Sequence, residues 1–314
     1  MTVRLAVVGT GWWARFAHLP GIAECPDASL ASVSEESLPA PGTADGVVIA
    51  TPHHTHYPLA AAALDAGFHV LVEKPMTTSG PEAWDLVDRA ERAGLHLSVG
   101  YTAQYTGAAV AARAAVQEEI GELACVSGEL ASTMMGLIAT NPTYADGQAR
   151  GQLTHLAGAL THTTGQAAAQ VFAMMASHAL DVDVSDALTV RLTGGALVSL
   201  ASTGTLPEGL PHRNVLRYYG TAGTVEHDLQ YGTAVIRRHD GWERRVTQPT
   251  SDPVWPRYAP VQAFARLIAG TGPNHAPGAA AAAAVDLVEA ARASASSGTV
   301  QNLDLGRSWS TSST

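Results

Sequence analysis

The sequence predicts an α/β protein of two domains: an N-terminal parallel sheet that has been trimmed, and a C-terminal α+β domain with a largely antiparallel open sheet. Two observations predict this division. Buried strands alternate with helices up to about residue 119, and strands at hairpin spacing follow from residue 187. We therefore assign residues 1–119 to the first domain and residues 120–314 to the second.

Strands and helices alternate regularly in the first domain. The strands predicted at 3–8 and 46–50 are apolar runs, as expected for strands covered on both faces, and three further strands are predicted at 29–34, 68–73 and 96–100. The helices between them are predicted at about 12–23, 57–66 and 80–93, the last two being followed by Gly67 and Gly94. Only residues 35–45 connect the second strand to the third, and eleven residues that include Pro39, Pro41 and Gly42 cannot supply a helix, a further strand and a second helix. This is the trimmed segment.

The second domain has a different pattern. Short strands follow one another with turns between them, and we predict them at 187–192, 196–203, 213–219, 224–228, 233–238 and 242–247. One helix is expected before them, at about 151–163, and an alanine-rich helix after them, at about 277–294. Residues 307–314 are expected to form a frayed tail.

Composition excludes several classes of protein. The formal charge is −10, from 18 basic and 28 acidic side chains, and no basic stripe is present, so nucleic acid is not an expected partner. The sequence contains no apolar run of about 18 residues and no secretory leader pattern, so no membrane association is expected. With two cysteines, Cys25 and Cys125, a cytoplasmic protein without a disulfide is expected.

A glycine-rich turn follows the first strand. The residues Gly9-Thr10-Gly11-Trp12-Trp13-Ala14 have the form G-x-G-x-x-A between a buried strand and a helix. Gly9 permits a tight turn, Gly11 lets a pyrophosphate approach the backbone, and the N-terminus of the helix offers unpaired N–H groups. The sequence therefore predicts a Rossmann-type dinucleotide site, although a plain strand-to-helix turn would have the same local pattern.

The type of dinucleotide is indicated by the charges near this turn. Glu35 follows the second strand, where a carboxylate can accept hydrogen bonds from the adenosine ribose, although a solvated loop carboxylate would fit there too. Between Arg15 and Lys74 the sequence has no lysine or arginine to neutralise the extra phosphate of NADP. NAD is therefore favoured over NADP.

Three segments together resemble the glucose–fructose oxidoreductase, inositol dehydrogenase and rhizopine-catabolism (Gfo/Idh/MocA) family: the glycine turn, the segment Ala50-Thr51-Pro52-His53-His54-Thr55-His56, and Glu73-Lys74-Pro75. Gly121-Glu122-Leu123 extends the resemblance to the domain junction. The resemblance implies hydride transfer between a nicotinamide cofactor and a hydroxyl or ketone of a sugar, inositol or similar polyol. It also implies a homodimer or homotetramer formed through the C-terminal sheet.

The resemblance assigns functions to individual residues. Cofactor contacts would come from the glycine turn with Glu35 and from Thr51, Pro52, His53, His56, Glu73 and Lys74. A small polar substrate would be contacted by Lys74, Thr102, Gln104, Thr154 and His155, and Lys74 and His155 would be catalytic. The peptide bond before Pro75 is expected to be cis.

The sequence departs from the family pattern at three places. Residues 35–45 are shorter than the helix, strand and helix usually found there, so an open adenosine pocket and weakened cofactor binding are expected. Gly151 stands where an aspartate commonly precedes the histidine by four residues, and Gln104 stands where arginine is common. Without that cation, a neutral substrate is favoured.

The chemistry needs one group to hold the substrate oxygen and one to move its proton. Burial and a nearby nicotinium charge would lower the pKa of Lys74, and a histidine such as His155 titrates near pH 6.5, so either residue can be the acid/base. His155 could also be an ordinary core histidine. No metal site is expected, because no Cys or carboxylate accompanies His53, His54 and His56 at ligand spacing.

Two other functions are compatible with the sequence. One is elimination or glycoside cleavage that uses NAD transiently, with no net redox change. The other is a non-catalytic ligand-binding protein, suggested by the trimmed segment and by the missing carboxylate at Gly151.

Overall fold

The computed structural model describes residues 2–140, 146–247 and 256–304. The chain divides into two compact units. Within the described residues, the first unit comprises 2–105 and 256–282, and the second comprises 106–140, 146–247 and 283–304.

The first unit contains a parallel sheet of five strands in the order β2-β1-β3-β4-β5. The strands are β1 Val3–Val8, β2 Ala28–Ser34, β3 Gly46–Ile49, β4 His69–Val72 and β5 Leu97–Val99. The helices are α1 Leu19–Ala23, α2 His56–Asp65, α3 Gly80–Ala93 and, from the later part of the chain, α7 Ala259–Ile268. The predicted parallel Rossmann sheet is confirmed.

The trimmed segment leaves β2 at the edge of this sheet. Among the described strands, β2 pairs only with β1, and the chain then crosses directly to β3 through residues 35–45. Leu30 and Val33 of β2 are 48% and 41% exposed, because no helix or further strand follows β2 to cover it. Before β3 begins, Asp45 accepts hydrogen bonds from the Arg4 side chain at 2.6 and 3.3 Å and from its backbone N–H at 2.7 Å.

The core of the first unit includes a helix that the sequence analysis did not predict. In α7, Val261, Phe264 and Leu267 are buried in one apolar cluster with strand residues such as Leu5 and Val48. A Cβ on Gly46 would lie 2.9 Å from the Phe264 ring, so this glycine permits the helix to approach the sheet. The helix was missed because the residues that it packs against lie more than 200 positions earlier in the chain.

The second unit contains a mixed, largely antiparallel sheet of nine strands in the order β13-β12-β11-β10-β6-β9-β8-β7-β14. Only the β6–β9 pair is parallel among the described pairs. Its strands are β6 Leu123–Ala131, β7 Ala168–Ala176, β8 Ser185–Leu192, β9 Leu197–Thr203, β10 Arg213–Gly220, β11 Gly223–Asp228, β12 Thr233–Arg238, β13 Glu243–Thr247 and β14 Gln301–Asn302. The predicted open sheet is confirmed, but β6, β7 and β14 were not predicted.

The helices of the second unit are α4 Gly107–Ala114, α5 Met135–Thr140 and α6 Thr154–Thr164. The alanine-rich α8 spans Gly278–Ser297 and supplies residues to both units. β7 was missed because four of its first six residues are alanine or glutamine, which disfavour strands in isolation. Within the described residues, no helix combines the length and apolarity that crossing a bilayer requires.

Candidate active site

The glycine turn begins where β1 ends. Gly9 has φ of +109°, and a Cβ there would lie 2.1 Å from the backbone oxygen of Ala50, so the position requires glycine both for its dihedral angle and for space. The Gly9 N–H donates to the Ser34 carbonyl at 2.9 Å, which joins the turn to the end of β2. Glu35 is the next residue after Ser34 and is exposed, so it lies beside the turn.

The helix after the turn contains a π-helical segment, Ala14–His18, in which the Leu19 N–H donates to the Ala14 carbonyl. Pro20 follows in the first turn of α1 and has no N–H to donate to the preceding turn. Such wide turns often occur at functional sites. Here the segment ends at His18, whose side chain is fully buried.

The Glu73 carboxyl is the centre of a buried hydrogen-bond network. Its Oε1 accepts from the indole Nε1 of Trp13 at 2.8 Å and lies 2.9 Å from Nε2 of His18, and its Oε2 accepts from the Lys74 backbone N–H at 3.2 Å. Burial disfavours the charged form, but the hydrogen bond and charge of His18 together with Lys74 hold the pKa of Glu73 below its ordinary value. Glu73 is therefore a carboxylate at neutral pH.

Lys74 follows in a half-buried position, and its bond to Pro75 is cis, as predicted. Burial lowers the pKa of the Lys74 ammonium, and the Glu73 carboxylate opposes this by raising it. Of the 18 basic side chains in the sequence, Lys74 is the only lysine, and all the others are arginine. Arginine stays protonated at any physiological pH. Among the lysine and arginine side chains of the sequence, Lys74 is therefore the one that can exchange a proton.

His56 stabilises the loop around Lys74. Its ring is fully buried, with Nδ1 2.8 Å from the Pro75 carbonyl and Nε2 2.9 Å from the Thr51 carbonyl. Burial, with a smaller effect of His53, lowers the pKa of His56 to about 4, so the neutral ring donates to only one of these carbonyls at a time. His56 thus links the two family segments, and its direct contact with a cofactor stays a prediction.

The other predicted cofactor residues differ in exposure. Trp12 is 63% exposed beside the glycine turn and stacks on Phe16 with ring centroids 4.7 Å apart. Thr10, Trp13, Thr51 and His53 are half-buried, while Gly11 and Pro52 are exposed. The turn is therefore open to solvent, whereas Glu73 lies behind Trp13.

Two predicted substrate residues of the first unit, Thr102 and Gln104, lie in a short 3-10 helix and are only 2% and 4% exposed. Their contact with substrate stays a prediction. Among the described residues, no group of three His, Cys, Asp or Glu side chains is arranged to hold a metal ion.

His155 and Thr154 lie at the start of α6, which continues a π-helical segment, Ala149–Leu153. His155 is half-buried and Thr154 is buried. A Cβ on Gly151 would meet no atom within 4 Å, so a side chain at this position would have space.

Asp183 fixes the N-terminus of this helical segment. Its Oδ2 accepts from the Ala149 N–H at 2.6 Å, and its backbone carbonyl accepts from the Gln148 N–H at 2.8 Å. A carboxylate at a helix N-terminus is stabilised by the unpaired N–H groups there. Asp183 therefore positions the helical segment that continues into α6 and carries His155.

Asp186 is a buried acid close to Asp183. It is 4% exposed, and its two carboxyl oxygens have no hydrogen-bond partner among the described residues. Burial, followed by the charge of Asp183, raises the pKa of Asp186 to about 8, so this carboxyl is largely protonated at neutral pH. The sequence contained the signal for it, because Asp186 shares the buried face of β8 with Leu188, Val190 and Leu192, yet the predicted strand began at residue 187.

We expect Asp186 to make the protein less stable as the pH rises. Its folded-state pKa lies above its unfolded value, so its stabilising contribution is complete below about pH 4 and is lost as the pH rises to about 8. One proton gives a slope of at most about 1.4 kcal/mol per pH unit. In Asp186→Asn this slope should disappear, as measured by urea unfolding between pH 5 and 8, with Asp181→Asn as a control that keeps the wild-type slope. An equal slope in wild type and Asp186→Asn would contradict the assignment.

Comparison with known proteins agrees with this geometry. Residues 34–101 match the family model described as "Oxidoreductase family, NAD-binding Rossmann fold" (GFO_IDH_MocA). Over 116 residues the chain is 34% identical to the "Uncharacterized oxidoreductase YdgJ" of Escherichia coli, covering 31% of this chain and 34% of that protein. Over 167 residues it is 30% identical to a "Glycosyl hydrolase family 109 protein" of Streptomyces coelicolor, covering 53% and 32%. The matches thus span about a third of the length of these curated relatives.

The fold is similar to solved structures along nearly its whole length. The structure of levoglucosan dehydrogenase in complex with NADH and L-sorbose superposes with a TM-score of 0.80, covering 97% of this chain and 100% of that one. The identity is 19%, so this likeness shows the fold alone.

Proposed function

Because this chain belongs to the Gfo/Idh/MocA oxidoreductase family through its NAD-binding Rossmann domain, we propose that it transfers a hydride between NAD and a hydroxyl or ketone of a sugar or similar polyol. The observation that carries the proposal is Lys74. In a chain whose other basic side chains are all arginine, the single lysine stands beside a buried carboxylate in the family segment Glu73-Lys74-Pro75.

The reaction requires that a hydride and a proton leave the substrate separately. Bound NAD would accept the carbon-bound hydrogen of the alcohol together with its electron pair, and the hydroxyl proton would pass to a protein base as the ketone forms. Lys74 with its lowered pKa can accept that proton, and His155 is the second candidate. The NAD would be held by the glycine turn and by the N–H groups at the start of the helix.

The proposal is tested by a screen of sugars and polyols with NAD, watched at the absorbance of NADH. L-Sorbose belongs in the screen, because the similar structure of levoglucosan dehydrogenase contains it. The expected result is NADH formation or consumption with at least one neutral polyol or keto-sugar. If the folded protein binds NADH but exchanges no label from C4-deuterated NADH into any compound, the non-catalytic alternative takes its place.

We further propose that NAD is preferred over NADP. Glu35 is exposed directly beside the glycine turn, where a 2′-phosphate would meet its negative charge. Glu35→Arg should lower the ratio of the NADPH dissociation constant to the NADH dissociation constant by about tenfold or more. The reason is that the substitution replaces repulsion between a carboxylate and the 2′-phosphate by an ion pair with arginine. Glu24→Arg, an equal charge change at the end of α1, is the control and should leave the ratio unchanged. An unchanged ratio in Glu35→Arg would contradict this assignment.

A second function is favoured by the glycosyl hydrolase family 109 proteins among the relatives. A member from Shewanella amazonensis is 57% identical over 47 residues. In this case the bound NAD would oxidise a sugar, allow cleavage of its glycosidic bond and then reduce it again. Incubation with p-nitrophenyl glycosides distinguishes the two functions, because release of nitrophenol without a net change in NADH would support cleavage.

We also propose that the outer face of the nine-stranded sheet pairs with a second copy of the chain. In β7, Phe172 and Met174 are 39% and 69% exposed, and in β9, Leu197 is 46% exposed. Exposed and buried residues alternate along both strands, so these side chains lie on the face opposite the core. Exposed apolar groups of this kind are usual at interfaces. Light scattering should give a molar mass of at least twice 32.5 kDa, and the mass of one chain would exclude the pairing.

A further inference from the structure

One buried histidine of the first unit has no function in the proposed hydride transfer. His18 is 0% exposed and lies 55 positions before its partner Glu73. Its Nε2 and the indole nitrogen of Trp13 approach the same carboxylate oxygen at 2.9 and 2.8 Å. Both donors come from the helix that follows the glycine turn, whereas Glu73 follows β4.

The contacts determine which ring nitrogen carries the proton. Nδ1 of His18 has no hydrogen-bond partner among the described residues, and Nε2 faces Glu73. A carboxylate only accepts hydrogen bonds, and Glu73 already accepts from Trp13 and from the Lys74 backbone. Nε2 therefore carries a proton, and His18 donates to Glu73.

The carboxyl of Glu73 has little freedom to turn elsewhere. A Cβ on Gly100 would lie 2.4 Å from Oε1 and 2.9 Å from Oε2, so the backbone of Gly100 closes the side of the group that the donors leave open. Gly100 is itself held by its N–H, which donates to the Val72 carbonyl at 2.8 Å. The orientation of the carboxylate is thus set by His18, Trp13 and Gly100 together.

We propose that His18 is a positioning residue that acts on Lys74 through Glu73: by donating to Oε1 it keeps the carboxylate charged and fixed as the negative neighbour of the lysine. The catalytic importance of Lys74 rests on the proposed function. The hydrogen bonds of Glu73 with His18 and Trp13 do not depend on that function. The titratable groups that interact with this pair include His18, His56 and Tyr105, and burial raises the pKa of the Tyr105 hydroxyl so that it stays neutral.

The proposal predicts the direction in which the lysine responds. Burial lowers the pKa of Lys74 while Glu73 raises it. Without the donor at His18, the Glu73 carboxyl loses one of the contacts that hold it and its charged form is less favoured, so its support of the ammonium form is weakened. The pKa of Lys74 should therefore fall in His18→Leu and stay near the wild-type value in His18→Gln, whose amide can replace the Nε2–H donor.

Trace acetylation with acetic anhydride between pH 6 and 11 measures this pKa without cofactor or substrate. Because Lys74 is the only lysine, the α-amino group is the only other amine and provides an internal reference. The labelling midpoint of Lys74, followed by mass spectrometry, should move down by about one pH unit in His18→Leu and by less than about 0.3 in His18→Gln. A merely structural function for His18 would lower stability but would not give this pattern.

A second donor variant keeps the test decisive if His18→Leu does not fold. Trp13→Phe removes the indole N–H and keeps an aromatic ring, and it should also move the midpoint down. An unchanged midpoint in the folded donor variants, or an equal shift in His18→Gln and His18→Leu, would overturn the proposal. NADH titration of the same samples is a separate readout, so loss of the proposed function would not be confused with failure of this network.

Discussion

Replacing Lys74 by arginine is expected to abolish most of the hydride transfer while NADH binding is retained. Arginine keeps the positive charge beside Glu73 but does not release or accept a proton near neutral pH. Loss of a general acid or base lowers kcat by about 10²- to 10⁴-fold. The measurement is kcat with the best substrate of the polyol screen, together with the dissociation constant for NADH.

The control for this variant is an exchange of arginine for lysine at a position outside the proposed site. Arg92→Lys introduces a lysine on the exposed side of α3 and should leave kcat and NADH binding unchanged. If Lys74→Arg retained more than a third of the wild-type kcat, Lys74 would not be the proton-transferring group, and His155 would be left as the candidate.

Gly9→Ala is expected to abolish NADH binding. The added methyl group would lie 2.1 Å from the Ala50 carbonyl oxygen and 2.5 Å from its carbon, and backbone atoms of a buried sheet do not move aside cheaply. Either the turn or the end of β3 must shift, and the N–H groups that would bind the pyrophosphate shift with it. Fluorescence titration should show at least a hundredfold weaker affinity, or no binding at all.

Gly67→Ala is the control that separates the steric clash at Gly9 from the free-energy cost of placing alanine at a positive φ. Gly67 has φ of +83°, but a Cβ there would meet nothing within 4 Å. It should lower the free energy of unfolding by about 1 kcal/mol and leave NADH binding unchanged. Wild-type affinity in Gly9→Ala would show that the turn does not hold the dinucleotide.

The parts of the fold that depend on local sequence could be predicted. Gly9 follows an apolar strand directly, so the turn and the parallel sheet were visible in contiguous residues, whereas the cis bond before Pro75 was expected from the family resemblance. Strands such as β8 and β9 were visible because they alternate buried and exposed residues around Gly194 and Gly195.

The remainder depends on contacts between distant residues. His18 gains its significance only from Glu73, 55 positions later, and nothing around His18 distinguishes it from an ordinary helical residue. Helix α7 has an apolar face, but the glycines that make space for it lie in the first 46 residues. The predicted strand corresponding to β8 began two residues too late. It therefore excluded Asp186, an acid on the buried face of this strand.

Energy transfer from tryptophan to bound NADH tests the central claim most directly. Trp12 and Trp13 are part of the glycine turn, so a dinucleotide held there lies close to two indole rings. Excitation of tryptophan should produce NADH emission that saturates below about 1 mM NADH, is lost in Gly9→Ala and is retained in Lys74→Arg. Folded wild-type protein that shows no such emission up to this concentration would contradict the assignment of a dinucleotide site.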